Sequence, residues 1–247
     1  VLNREPDVWC ERVFAPWLDM QEQMQKYALP LCALESGDPI GGFDIVAFTL
    51  QYEMCYTTVL NMLSLAGIPL PASARGEDAP IIIGGGHCAY NPEPIADFFD
   101  IFSIGEGEKA LPELARLYIS MKQDGTYTRA AFLHAAAKLD GFYVPSLYAV
   151  DYNPDGTISG ITPKYDDIPK KVRKRIIRDL DKVFYPTLTY LPFIENVQDK
   201  MVLEVYRGCI RGCRFCQAGM VCRPVREKTV DKLFDDAQCM YRNFGYD

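Results

Sequence analysis

Three of the nine cysteines in this 247-residue chain crowd into one short stretch, as Cys209, Cys213 and Cys216. The stretch reads Arg207-Gly208-Cys209-Ile210-Arg211-Gly212-Cys213-Arg214-Phe215-Cys216, a Cys-x3-Cys-x2-Cys spacing. Structural zinc sites draw on four ligands, usually grouped as two close pairs. Ferredoxin-type clusters use four thiolates at other spacings. Three thiolates on one loop suit a cubane iron–sulfur cluster with one iron left open, and an open position is what metal catalysis needs. Gly208 and Gly212 let the backbone curl around such a group. Arg207, Arg211 and Arg214 offset its negative charge. Cys222 is a rival fourth ligand, but a fully thiolate-ligated cluster would leave no open iron. Cys10, Cys32, Cys55, Cys88 and Cys239 are scattered and read as ordinary buried thiols.

Elements on either side must position this loop. Residues 201–206 read as a strand leading into it, and residues 227–243 as a helix leading out, with Val230, Leu233, Phe234, Ala237 and Tyr241 on one face. Upstream, helices are expected over 14–27, 53–66, 106–121 and 128–139, with a short helix at 95–99. Apolar runs at 43–50, 81–83 and 100–104 read as buried strands. A hairpin is expected from 148–152 and 157–161 around Asn153-Pro154-Asp155-Gly156. Strand and helix alternate from about Phe43 to Met121, which implies a parallel sheet with helices on its faces. The expected fold class is therefore α/β: a Rossmann-like domain over residues 1–161, a linker over 162–200, and a further βα unit over 201–247.

Composition sets the outer bounds. Apolar residues are 49% and charged residues 24%, and the formal net charge is −7. These values exclude a disordered chain and a broadly basic nucleic-acid coat. No segment approaches a membrane span, and the N-terminus lacks an apolar signal region. A cytoplasmic location and reduced thiols are expected.

The cysteine spacing, the aromatic Phe215 before the last cysteine and the preceding strand together resemble the radical S-adenosylmethionine (SAM) superfamily. The resemblance implies a 4Fe-4S cluster held by Cys209, Cys213 and Cys216. It implies that the fourth iron chelates the amino and carboxylate groups of SAM. One-electron reduction then cleaves SAM to a 5′-deoxyadenosyl radical that abstracts hydrogen from a substrate. Phe215 would lie near the adenine, and residues 201–247 would open a radical SAM, TIM-like barrel. Flavodoxin or ferredoxin would be the reductant partner. A full barrel needs about 250 residues, and only 31 follow Cys216. The chain is thus expected to be an N-terminal fragment, inactive alone, whose further partner is the rest of its own barrel.

The runs Ile81-Ile82-Ile83-Gly84-Gly85-Gly86-His87 and Ile104-Gly105-Glu106-Gly107-Glu108 resemble the cobalamin-binding N-terminal domain of one branch of that superfamily. The run from Tyr206 through Gln217-Ala218-Gly219-Met220 to Arg223-Pro224-Val225-Arg226-Glu227 resembles a bacterial family of uncharacterised B12-binding-domain radical SAM proteins. The Asp-x-His-x-x-Gly cobalt motif is missing, however. Neither His87 nor His134 sits in it, so cobalamin binding stays open. Gly105-Glu106-Gly107-Glu108-Lys109-Ala110 also matches a dinucleotide fingerprint. Its two glutamates would oppose a pyrophosphate at the helix N-terminus and are better explained by the helix dipole. The cluster Lys170, Lys171, Arg173, Lys174, Arg175, Arg178 reads first as a solvated face, with RNA as the alternative partner. An RNA-modifying radical SAM enzyme and a non-catalytic cobalamin- or cluster-binding sensor are the alternative functions. The substrate is not legible.

Overall fold

Ile81, Ile82 and Ile83 offer apolar side chains to both faces of an extended chain, which suits a strand covered above and below. In the computed structural model, which describes residues 1–186 and 200–244, all three are buried at the centre of a four-stranded sheet. Strands β1 (Ile45–Thr49), β2 (Ile81–Gly85) and β3 (Ile101–Ser103) run parallel, in the order of the sequence. Strand β4 (Phe142–Tyr143) closes the sheet antiparallel to β3, with Phe102 opposite Tyr143. The chain divides into two compact units, Val1–Arg175 and Ile176–Asp247. The sheet belongs to the first.

The helices of this unit are α1 (Leu18–Lys26), α2 (Tyr56–Leu65), α3 (Gly107–Gln123) and α4 (Arg129–Ala136). Helix α1 is shorter than its apolar pattern predicts. Phe14 and Trp17 precede it as exposed residues, and only Met24 of the helix is buried. The predicted helix at 95–99 is a 3-10 helix, Glu93–Phe98. Helix α4 starts where Thr128 accepts a hydrogen bond from the Ala131 amide at 3.1 Å, a side-chain cap that fixes its first turn. Aromatic rings fill the core, with Phe99 stacked 4.9 Å from Phe102 and Phe132 edge-on to Tyr118 at 5.2 Å. Strands β5 (Tyr148–Tyr152) and β6 (Ile158–Pro163) form the expected hairpin as a separate two-stranded sheet.

A buried ion triad ties the start of the sheet together. Asp100 Oδ2 accepts from Arg75 at 2.9 Å, from Arg129 at 2.7 Å and from the Ile82 amide at 2.8 Å. Arg75 also donates to the carbonyls of Pro69, Leu70 and Phe98, and Arg129 to those of Ala79 and Pro80. Two guanidinium groups around one carboxylate are tolerated inside a protein only when their remaining donors are satisfied in this way.

Arg175 engages the sheet as well. It forms a parallel bridge to Gly105, its amide donating to Ile104 O at 2.8 Å and its carbonyl accepting from the Glu106 amide at 3.0 Å. Its side chain pairs with Glu113, and Lys174 lies over the Tyr90 ring. Part of the basic run is therefore built into the fold of the first unit.

In the second unit a short 3-10 turn, Leu180–Lys182, is followed past residues 187–199 by β7 (Tyr206–Arg207), α5 (Ala218–Val221), β8 (Arg226–Glu227) and α6 (Val230–Phe244). Those thirteen positions, part of the expected linker, lie outside the described residues. Of the strand predicted over 201–206, only Tyr206 is in a ladder. Tyr206 pairs with Glu227 and Arg207 with Arg226, antiparallel. A strand exists through its neighbour's hydrogen bonds, and among the described residues no other strand flanks 201–205.

Candidate metal centre

Strands β7 and β8 clamp the base of the cysteine loop. Just inside the clamp, Gly208 has φ +104°, and a Cβ there would lie 2.5 Å from Pro224 O. Only glycine fits that approach, so this residue closes the loop on its own return strand. At the far end the Cys216 amide donates to Cys213 O at 3.1 Å, a tight turn that feeds α5.

The lysines behind the loop fasten it to α6. The Lys228 amide donates to Val205 O at 3.0 Å, and its buried ammonium lies 3.2 Å from Asp236 Oδ2 and 4.0 Å over the Tyr185 ring. Lys232 Nζ reaches Asp236 Oδ1 at 2.5 Å. Burial by itself would raise the Asp236 pKa. The hydrogen bonds and charge of the two ammonium groups outweigh it and hold the carboxyl below its usual range.

Cys213 is exposed, while Cys209, Cys216 and Cys222 are half-buried, and none of the four is in a disulfide. Cys213 and Cys216 share the wall of one cavity of about 410 Å³ with Gly212, Arg214, Phe215, Gln217, Gly219 and Met220. Cys209 lies outside this lining. Among the described residues no three His, Cys, Asp or Glu side chains are gathered closely enough to hold a metal ion. The donor set still fits an iron–sulfur cluster in its chemistry: three soft thiols on one loop, two of them already facing a common space. Phe215 is 91% exposed at the cavity rim. Glu204 and Arg207, which flank the loop, are paired with one another through hydrogen bonds of 2.7 and 3.0 Å.

The first unit offers a less favourable site. Ligands on open α/β sheets sit where the strand order reverses, and β1-β2-β3-β4 does not reverse. The glycines at the strand ends have packing reasons. A Cβ on Gly84 would meet the Phe102 ring at 3.0 Å, and one on Gly105 would lie 2.2 Å from Arg175 O. The dinucleotide-like loop is thus held by the chain itself, with the Glu106 amide already donating to Arg175. His87 is exposed beyond β2. His134 faces Asp167 at 3.4 Å and meets the Tyr165 ring edge-on. The Arg75–Asp100–Arg129 triad was not legible in the sequence, because its members lie 25 to 54 positions apart and each resembles a surface charge.

Comparison with known proteins bears mainly on the first unit. Residues 1–145 match the family model described as "Radical SAM proteins, N-terminal". An uncharacterized protein of Methanocaldococcus jannaschii is 27% identical over 205 residues, which covers 81% of this chain and 36% of that protein. The chain thus spans about a third of the length of the relative it matches. No helix among the described residues is long and apolar enough to cross a membrane. The family match falls on the half of the chain that lacks the three-cysteine loop, so the two do not depend on the same residues; the chain belongs to the radical SAM proteins, through their N-terminal family.

Proposed function

We propose that this chain carries the cluster-binding loop of a radical SAM enzyme, with Cys209, Cys213 and Cys216 as ligands of a 4Fe-4S cluster. One observation carries the reading: a Cys-x3-Cys-x2-Cys loop, clamped by β7 and β8, occurs in a chain whose first 145 residues belong to the radical SAM N-terminal family. When bound, the cluster would supply the electron for reductive cleavage of SAM. The chain's own residues would hold and shape that site. The three thiolates would ligate, and Gly208 and the Lys228–Asp236 pair would fix the base of the loop. Phe215 would offer an aromatic face to the SAM adenine, and Arg214 would offset charge at the cavity rim.

The 247 residues by themselves would bind a cluster weakly and would not turn over. The thiols are not gathered, and the apolar side chains around the loop are bare to water. Cobalamin forms no part of this proposal. A cytoplasmic setting is proposed for the oxygen-sensitive cluster. The test is anaerobic reconstitution with iron and sulfide, reduction, and electron paramagnetic resonance with and without SAM. A cubane-type signal that SAM perturbs is expected. A signal indifferent to SAM would favour a cluster-binding sensor instead.

A further inference from the structure

Helix α3 carries Leu111, Leu114, Ala115, Tyr118 and Ile119 at the spacing of a single helical face. These five residues, strand β1 and residues 7–13 line a cavity of about 270 Å³ within the first unit. Its walls are mostly apolar, and Ala47 in β1 and Ala115 in α3 leave room where larger side chains would intrude. Residues 7–13 are fastened by hydrogen bonds of their own. Asn3 exchanges two with the Cys10 backbone, at 2.6 and 2.8 Å, and Arg12 O accepts from the Leu34 amide at 2.8 Å. A mostly apolar cavity with a few placed polar groups is the usual form of a small-molecule site.

Charge decides what such a molecule carries. The charged side chains on the lining are Asp7, Glu11, Asp44 and Arg12. Arg12 is offset by Glu35, 2.6 Å away. Glu11 accepts from the Trp9 ring N–H and from the Ser36 hydroxyl at 2.8 Å, and these bonds hold its carboxyl below the usual range. Asp44 Oδ1 accepts from the Tyr118 hydroxyl at 2.8 Å. The amino-terminal ammonium acts on Cys10, where Glu35 and Glu11 oppose it. The surplus on the lining is therefore negative. Trp9, 77% exposed on the same lining, adds an aromatic ring. Carboxylates with an aromatic face attract an organic ammonium group. An apolar cavity of about 150 Å³ holds one benzene, so a space of 270 Å³ suits roughly ten non-hydrogen atoms. We infer that this cavity binds a small organic amine, its apolar body against β1 and α3 and its ammonium drawn to the carboxylates of Asp7, Glu11 and Asp44. The cysteine loop has no part in this inference, which stands or falls apart from the proposed function.

Three probes of nearly the same shape separate charge from fit: phenylpropylamine, phenylpropanol and phenylpropanoate. Each would be titrated calorimetrically into the metal-free chain at neutral pH. The amine should bind about tenfold more tightly than the alcohol, and the carboxylate more weakly than either. Asp7→Asn/Asp44→Asn should bring amine and alcohol to near parity without weakening the alcohol. Asparagine can still accept from Tyr118, and it tolerates the left-handed backbone at Asp7, where φ is 60°. Ala47→Leu and Ala115→Leu fill the space without touching a charge, and each should abolish binding of the amine. Circular dichroism would confirm that each variant is folded. Four results would overturn the inference: no binding of the amine, equal affinity for amine and alcohol in the wild type, a preference for the carboxylate, or amine binding that survives both leucine variants.

Discussion

At the scale of residues, the cysteine spacing was readable directly, because ligands on one loop are close in sequence as well as in space. The reasons for its neighbours were not. Gly208 reads as flexibility around a cluster, but the structure gives it a second task, leaving room for the backbone of Pro224. Gly208→Ala should therefore lower the thermal stability of the second unit even in metal-free protein, as amide exchange across residues 206–227 would reveal. Asp100 is the sharper case. Nothing in its sequence surroundings marks it, yet it neutralises two buried guanidinium groups. Asp100→Asn would leave those charges uncompensated, at a cost of about 3 kcal/mol or more. A fall in the melting temperature of roughly 6–12 °C is expected. An unchanged melting temperature would mean that the triad carries no net stability.

At the scale of elements, long periodic segments and buried runs were legible. Strands β1 and β3 fall within the predicted apolar runs, β2 starts at the predicted Ile81 but runs on to Gly85, and α3 and α6 lie close to their predicted limits. Failures came where an element depends on a distant neighbour. Residues 201–205 have strand composition, but no strand pairs with them among the described residues. Arg175 sits in a basic, proline-flanked stretch yet adds to the end of β3. The apolar stripe of α6 is divided, with Met240 buried while Val230, Phe234 and Tyr241 are exposed. Helix α6 depends on Asp236 staying ionised between Lys228 and Lys232. Its folded pKa is lowered, so the stabilisation is complete above the unfolded carboxylate value near 4. It is lost as pH falls through the folded value. Amide exchange in α6 should therefore accelerate below about pH 4, and Asp236→Asn should abolish that acid step. An acid step that persisted in the variant would assign it to another group.

At the scale of the whole molecule, the two units carry separate evidence. The first gives family membership, and among the described residues its sheet shows no strand-order reversal of the kind at which α/β folds bind cofactors. Incubation with hydroxocobalamin followed by gel filtration should therefore leave no cobalt-type absorption band with the protein. A stoichiometric band would show that cobalamin binds without a switch point or a histidine motif. The second unit holds the chemistry in a loop whose thiols have yet to converge. The most direct measurement is iron and sulfide per chain after anaerobic reconstitution, for the wild type and for single alanine variants of Cys209, Cys213, Cys216 and Cys222. Wild-type uptake should be low but measurable. It should be lost in the first three variants and kept in Cys222→Ala. Uptake that survives loss of Cys213, or that disappears with Cys222, would contradict the assignment of the cluster to these three cysteines.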